Sequence, residues 1–420
     1  MIAWKQAKMD GIRAAQAAPP SALTSVMLDD ARSIADLLPE WRMLADRIES
    51  AGLFLQPSVW QSWHRTIGSN TTPQVICVRD HGQLVGVMPV MFRHAWRGPT
   101  LGVRYDYDPA DRRWLRNPSR RWVPVRQISP VMSLPATMLG PALLAAPDRS
   151  IAVISAVAHQ VVRLRGWDVA VIPVDANEAA VWQRAFGAVG ARSAVQKLDR
   201  LDFSLKQVVP LEVLAQGQPQ KFRANLRRAR AAADQASLRT TVVTDLPLSQ
   251  SHLAALANQS WKARGRDGQD VIVPYAGPQQ AFFDMLCQAD HAPQSVIATI
   301  MQGDAPVAIT LGVRHGQTLT TMLTFWNEKE KKASAGLLCM GALVDWAAKE
   351  GMRRIDFNSN SLWLRFLTDT VTLNHNLLVF APTWRGKLLA EMYRATTGLR
   401  DWLRRAGMGR RRECRDDDGA

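Results

Sequence analysis

Alternation and helical spacing divide the chain into short elements, and two of them recur. QVICVR (74–79), the turn DHGQ and LVGVMPVMFR (84–93) carry a strand, tight turn, strand pattern. SVIATIMQ (295–302), the turn GD and APVAITLGVR (305–314) repeat it. A helical segment rich in Trp or Phe precedes each hairpin, SVWQSWHRTI (58–67) and QAFFDMLCQAD (280–290). The offset between the hairpins is about one domain length, so the pattern predicts a duplicated α/β (α+β) unit with mixed, mostly antiparallel sheets flanked by helices. The first copy spans 24–205 and closes with a strand WDVAVIP (167–173), a helix NEAAVWQRAFGAVG (177–190) and a strand around LDRLDFSL. The second spans 206–385 and opens with a helix at 217–236, a strand LRTTVVT (238–244) and a helix over 249–263. Residues 94–127, containing RRWLRNPSRRW, match neither period and predict a long irregular insertion. Residues 1–23 form an extension, and 386–420 read as a basic amphipathic helix with a polar tail.

The helix at the junction, QKFRANLRRARAAADQ (220–235), has five cations before its first carboxylate, Asp234. Phe222, Leu226, Ala229 and Ala233 recur at helical spacing and predict a docked stripe, with Arg223, Arg227 and Arg230 on the neighbouring face. Such a face either stays solvated, pairs with carboxylates in a groove between the two copies, or meets an anion. A helix built for RNA would also bring stacking aromatics, and this one exposes none.

Composition narrows the classes. With 420 residues and 47 % hydrophobic content the chain can bury two cores. Its 52 Lys+Arg against 37 Asp+Glu give +15, which favours acidic partners such as phosphorylated cofactors, RNA or an anionic membrane surface. Four scattered cysteines without a CxxC, and no clustered histidines, signal neither a disulfide framework nor a metal site, which fits a reducing cytoplasm. No stretch reaches the roughly 18 apolar residues of a membrane span, so the expected location is cytoplasmic, and the basic C-terminal helix either packs on its own domain or makes a peripheral contact with anionic lipid at the inner membrane.

Chemistry concentrates in 318–358. TLTTMLTFW reads as a strand, NEKEKKASAG as a polar loop, LLCMGALVDWAAKEG as a helix closed by Gly351, and MRRIDF as the next strand. This order presents free backbone N–H groups at a helix start, where Ser334 is placed to cap and Lys331 and Lys332 add positive charge, so a phosphate or pyrophosphate would be received there. The corresponding stretch of the first copy, SLPATMLGPALLAAPDRS, has Pro135 and Pro141 and no flanking cations, which places the anion site in the second copy only.

KKASAGLLCMGAL resembles the pyrophosphate loop of GNAT acyltransferases. In order, WRMLAD, FLQPSVWQSWH, KFRANLRRAR, SWKARG and SAGLLCMGALVDWAAKEGMRRIDF resemble the tandem-GNAT CelD/BcsL-type family linked to cellulose and exopolysaccharide biosynthesis, over nearly all of 24–385. The basic helix is also similar to that of FemABX peptidyltransferases. The resemblance implies two tandem GNAT-like domains, with acetyl-CoA or another acyl-CoA as donor and no metal. It implies that strand 318–326, with Thr324, carries the pantetheine arm and that Lys331, Lys332, Ser334, Ala335 and Gly336 receive the pyrophosphate. Lys331 stands where the superfamily prefers Arg or Gln, and Ser334 where it prefers the first Gly. Relatives often follow the Asp-Phe strand with a Gly and then a Tyr-Lys pair; here IDFNSNSLWLRFL leaves Arg365 to stand for the lysine.

Direct acyl transfer needs a base near the acceptor. Asp356, beside Asn358 and Asn360, ends a strand where it faces an acceptor or caps a turn. His375 points into the cleft or packs on the sheet, and Trp261 with Lys262 forms an acceptor platform or an interface. Arg223, Arg227 and Arg365 complete the candidate acceptor-binding set. Three functions follow. They are an acyl-CoA-dependent N- or O-acyltransferase acting on a polysaccharide, lipid or amino-group acceptor in envelope assembly, a Fem-like enzyme using aminoacyl-tRNA, and a non-catalytic scaffold of a polysaccharide-synthesis complex. Nucleic acid is the less favoured partner.

Overall fold

The computed structural model describes residues 23–48, 51–69, 71–97, 123–130, 142–244, 246–259, 277–288, 294–327, 334–359 and 362–405. Both hairpins form where the alternation puts them. β2 (Gln74–Asp80) pairs with β3 (Gln83–Arg97), and β9 (Gln294–Gln302) with β10 (Ala305–His315). His81 and Gly82 take positive φ at the first turn, and Gly303 does so at the second.

Around each hairpin the same strand order is built. β1 (Leu23–Leu28), β2, β3 and β4 (Val123–Pro130) run antiparallel, then β4 lies parallel to β6 (Val169–Asp175). The two-residue β5 (Leu144–Ala145) pairs with β3 off this path. In the second half β8 (Leu238–Val243), β9, β10 and β11 (Thr318–Trp326) run antiparallel, then β11 lies parallel to β12 (Arg354–Asp356). The closing strands are exchanged. β7 (Arg192–Leu205) follows β6 in the chain but pairs with β12, while β13 (Thr370–Phe380) follows β12 but pairs with β6. β7 and β13 also pair with each other, so the duplicated sheets merge into one sheet of 13 strands.

Helices cover both faces. α1 (Ala31–Arg47) starts at Asp30, whose carboxylate accepts from the Ser33 amide at 2.8 Å. α2 (Pro57–Arg65) begins with proline at its first position. α3 (Ser150–Arg163) and α4 (Ala179–Ala188) complete the first half. One core joins α1 and α2 (Trp41, Trp60, Trp63) to α7 (Leu246–Gln259), to α8 (Gly277–Gln288) and to Ile309, Leu311 and Phe325 of the second half. A second core lies on the other face under α5 (Leu211–Gln216), α6 (Gln220–Gln235) and α9 (Ala335–Lys349). The predicted stripe of α6 is buried at all four positions, Phe222, Leu226, Ala229 and Ala233. α5 approaches α9 closely enough that a Cβ on Gly341 would sit 2.5 Å from Leu211 Cδ2. Asp345 of α9 accepts from the Leu211 amide at 2.7 Å, so α9 caps its neighbour.

One expectation is corrected. Residues 94–127 are not irregular throughout, because β3 continues to Arg97 and β4 begins at Val123; residues 98–122 lie outside the described residues. Buried Gln127 and Ser129, hydrogen-bonded to each other, disguise β4 as polar sequence.

α10 (Trp384–Arg405) is fastened to the first half through Asp168. That carboxylate has no exposed surface, accepts from the Arg126 amide at 2.8 Å, and pairs with Arg126 at 3.2 Å and Arg385 at 3.5 Å. Removing it leaves two guanidiniums facing each other. Asp168→Ala should lower the unfolding free energy by roughly 2–4 kcal/mol, the lower end reflecting arginines that stay 43 % and 40 % exposed, as read by urea denaturation.

Candidate active site

β11 and β12 pair in parallel at three positions, Thr318 with Arg354, Leu319 with Ile355 and Thr320 with Asp356. Past them the Thr321 hydroxyl donates to the Phe357 carbonyl at 2.7 Å. β11 then runs on to Trp326, while the chain after β12 turns at Asn358, whose φ is 42°. The parallel strands therefore part in front of Asn358. Its side-chain Nδ2 is buried there with no hydrogen-bond partner among the described residues.

The N-terminus of α9 stands on one face of this gap. Ser334 adopts the left-handed conformation with φ 46°, and its side chain makes no capping bond. Its carbonyl instead accepts from the amides of Leu337 at 2.8 Å and Leu338 at 3.2 Å. The amides of Ala335 and Gly336, first in the helix, have no intrahelical acceptor, and the helix dipole adds partial positive charge. The Trp326 ring lies over Gly336, where a Cβ would come within 3.3 Å of it. Thr324, on β11, accepts a hydrogen bond from Thr310 at 3.3 Å.

On the opposite face is a pair of carboxyls. Leu319, Ile355 and Leu205 point into the core beneath α9, so their neighbours Thr320, Asp356 and Ser204 point the other way. Asp202, two residues before Ser204, shares that face and hydrogen-bonds Asp356. Asp356 also accepts from the Asn358 amide at 2.9 Å. Burial pushes its carboxyl above the usual carboxylate range; Arg354, the Asn358 amide and Asp202 oppose that rise only in part.

The remaining sequence candidates are dispersed. His375 lies on β13 beside Lys197 and Val174, five positions along the strand from Thr370, which pairs with the neighbour of Asp356. Asp202 pairs with Thr372, three positions from His375, so His375 stands about 10 Å along the strand from the nearer of the two carboxyls. Arg365 is exposed on a short 3₁₀ segment (Leu362–Leu367) whose Phe366 stacks on Phe222 of α6 at 5.1 Å. Arg223 and Arg227 are exposed on α6, and Arg230 pairs with Glu212 of α5. The main packing partners of α6 are α5, α9 and β8, within its own half. Lys331, Lys332, Trp261, Lys262 and residues 131–141 lie outside the described residues. Asp202 escaped sequence reading, since a carboxylate alternating in LDRLDFSL looks solvent-facing.

Other chemistries find little support among the described residues. Cys339 is buried, donates to the Ala298 carbonyl at 3.0 Å and has its thiol pushed up to about 12 by burial. No group of three or more metal-ligating side chains occurs among the described residues.

Residues 220–361 match the acetyltransferase (GNAT) domain family. That span runs from α6 past Asn358, so the matched residues include the parting strands, the start of α9 and Asp356. The fold is shared with the crystal structure of FemX, at TM-score 0.52 and 10 % identity, over 84 % of this chain and 96 % of that one. A conserved protein of unknown function from Bacteroides thetaiotaomicron VPI-5482 has TM-score 0.48 and 12 % identity over 84 % and 99 % of the chains. A tandem GNAT protein from the clavulanic acid biosynthesis pathway has TM-score 0.45 and 13 % identity over 86 % and 98 %. No curated protein matches the chain.

The raised Asp356 sets a pH signature. Its folded form holds the proton more tightly than the unfolded chain does, so its contribution is full at low pH and is lost as pH rises from the ordinary aspartate value through the raised one. Asp356→Asn should therefore raise the melting temperature at pH 7, and the gain should shrink as the pH falls toward about 4. A gain that stays constant with pH contradicts the assignment.

Proposed function

We propose that the GNAT domain is an acyl-CoA-dependent acyltransferase whose donor and acceptor meet through the gap between β11 and the chain after β12. One observation carries this reading: the strands part between a helix start suited to pyrophosphate and a buried, hydrogen-bonded carboxyl pair on the opposite face. In the reaction the acyl thioester enters the gap from the α9 side, with its carbonyl oxygen held by a backbone N–H and the side-chain Nδ2 of Asn358 as a further donor. An amine or hydroxyl attacks the carbonyl carbon from the Asp356 side. The new C–N or C–O bond forms as the C–S bond breaks, the acceptor proton passes to the carboxyl pair, and the CoA thiolate takes up a proton. The donor assigned is acetyl-CoA, with Thr324 beside the pantetheine arm and Ala335 and Gly336 under the phosphates. The acceptor class is a polysaccharide, lipid or amino group in envelope or exopolysaccharide assembly, which rests on the ordered motifs of the sequence.

Gly336→Trp should abolish coenzyme A binding in calorimetry, because a side chain at that position meets the Trp326 ring and closes the helix start. Asp356→Asn should leave coenzyme A affinity within a few-fold and lower turnover by about 10²–10⁴. Equal loss of binding in both variants, or in neither, speaks against the reading.

No helix among the described residues is long and apolar enough to cross a membrane. α10 nevertheless exposes Trp384, Leu388, Leu399 and Trp402, which recur at helical spacing within one narrow arc, with Lys387 and Arg394 exposed beside them. This supports a peripheral contact with an anionic bilayer at the inner membrane. The double change Trp384→Ala with Trp402→Ala should abolish cosedimentation with vesicles rich in phosphatidylglycerol while coenzyme A binding persists.

A further inference from the structure

Beneath the carboxyl pair, where β11 and β12 begin, a cavity of about 1340 Å³ lies between the two halves. From the first half, Arg42 and Arg47 of α1 reach its wall; from the second come Lys206, Arg314, Arg353 and Arg354. Among the described residues Asp46 is the single carboxylate on the lining, and Glu350 stands behind Arg314 at 3.8 Å. Six cations around one concavity repel one another unless an anion joins them, and a cleft lined by one sign concentrates ions of the other. Five of the six are arginines, whose planar fork matches phosphate oxygens two at a time.

Arg354 ties this cavity to the chemistry. It is two residues before Asp356 on β12, so both side chains point to the same face, about 7 Å apart along the strand. Its Nε is buried without a hydrogen-bond partner. His315, on the same wall, has Nε2 3.2 Å from the Thr320 hydroxyl, and Thr320 pairs with Asp356 across the sheet. No aromatic side chain among the described residues lines the space, so these residues offer no platform for a nucleobase.

We propose that this cavity is a phosphate site for the acceptor, holding a phosphorylated small molecule or a phospholipid headgroup by Arg354, Arg314 and Arg47, with the attacking amine or hydroxyl a few bonds away beside Asp356. Its role as the acceptor site rests on the acyl-transfer reading above, whereas phosphate binding does not. The donor helix α9 packs on the other face of the sheet, so the two anions have separate seats. Burial, aided by the charge of Arg354, holds the His315 imidazole down at about 4, and a phosphate on this wall would push it back up.

The test is calorimetric titration of the full chain, saturated with coenzyme A, with inorganic pyrophosphate and in parallel with monomeric dihexanoyl phosphatidic acid. The expected result is salt-sensitive binding of at least one probe, weakened about ten- to a hundredfold in Arg354→Gln and in Arg47→Gln. An upward shift of the His315 titration on probe addition, followed by NMR, should accompany it. Arg47 is exposed on α1, so its variant reports on binding even if Arg354→Gln fails to fold. Tighter binding of the lipid assigns a headgroup, and tighter binding of pyrophosphate a soluble phosphate. Absence of binding while coenzyme A still binds overturns the phosphate site and leaves the acyltransferase reading standing. Arginine-dependent pyrophosphate binding in a protein that does not bind coenzyme A does the reverse. Binding unchanged in both variants overturns the site as well.

Discussion

The exchange of β7 and β13 is the constraint on which the architecture rests. Each half supplies the strand that closes the other's sheet, and the two exchanged strands pair with each other from Thr370 to Phe380. A duplicated unit whose closing strands stayed at home would leave two sheets meeting across a side-chain interface. Here backbone hydrogen bonds run unbroken across the junction, which holds α1 and α2 against the face that carries Asp356. The cavity, with walls from both halves, exists only because this joint fixes them in register.

The sheet also sorts chemistry by face. Alternation along β12 sends Ile355 to the core under α9 and Arg354 and Asp356 to the other side. The parting of β11 and β12 lies between the start of α9 on one face and the buried Asp356 carboxyl on the other. Keeping a carboxyl this enclosed is unfavourable for its charged form, and the hydrogen bonds from Asp202 and the Asn358 backbone offset part of that penalty.

Much of this was legible in the sequence where the signal is local. The hairpins followed from strict alternation around turn residues, α6 from the spacing of Phe222, Leu226, Ala229 and Ala233, and β11 from TLTTMLTFW. Asp356 and Asn358 drew notice in the sequence because they sit together at a strand end, and the structure places them there. What sequence could not supply depends on contacts between distant segments. Asp202 gains its meaning from Asp356 across an exchanged pairing, and the cations at 42, 47, 206, 314, 353 and 354 converge only after folding. β4 was missed because Gln127 and Ser129 satisfy each other inside the core, which hides the alternation. His375 shows the converse: a conspicuous residue type on a strand next to the site, yet displaced along it.

The strand exchange also orders events during synthesis. β6 is complete at Asp175, but its antiparallel neighbour is not made until Thr370–Phe380 leaves the ribosome. Until then the edge of β6, a run of buried apolar residues from Val169 to Val174, has its hydrogen-bonding groups open to any passing strand. In a nascent first half β6 therefore lacks its native antiparallel neighbour, and a ribosome that stalls within the second half leaves that apolar edge without it, the kind of state that chaperones exist to cover.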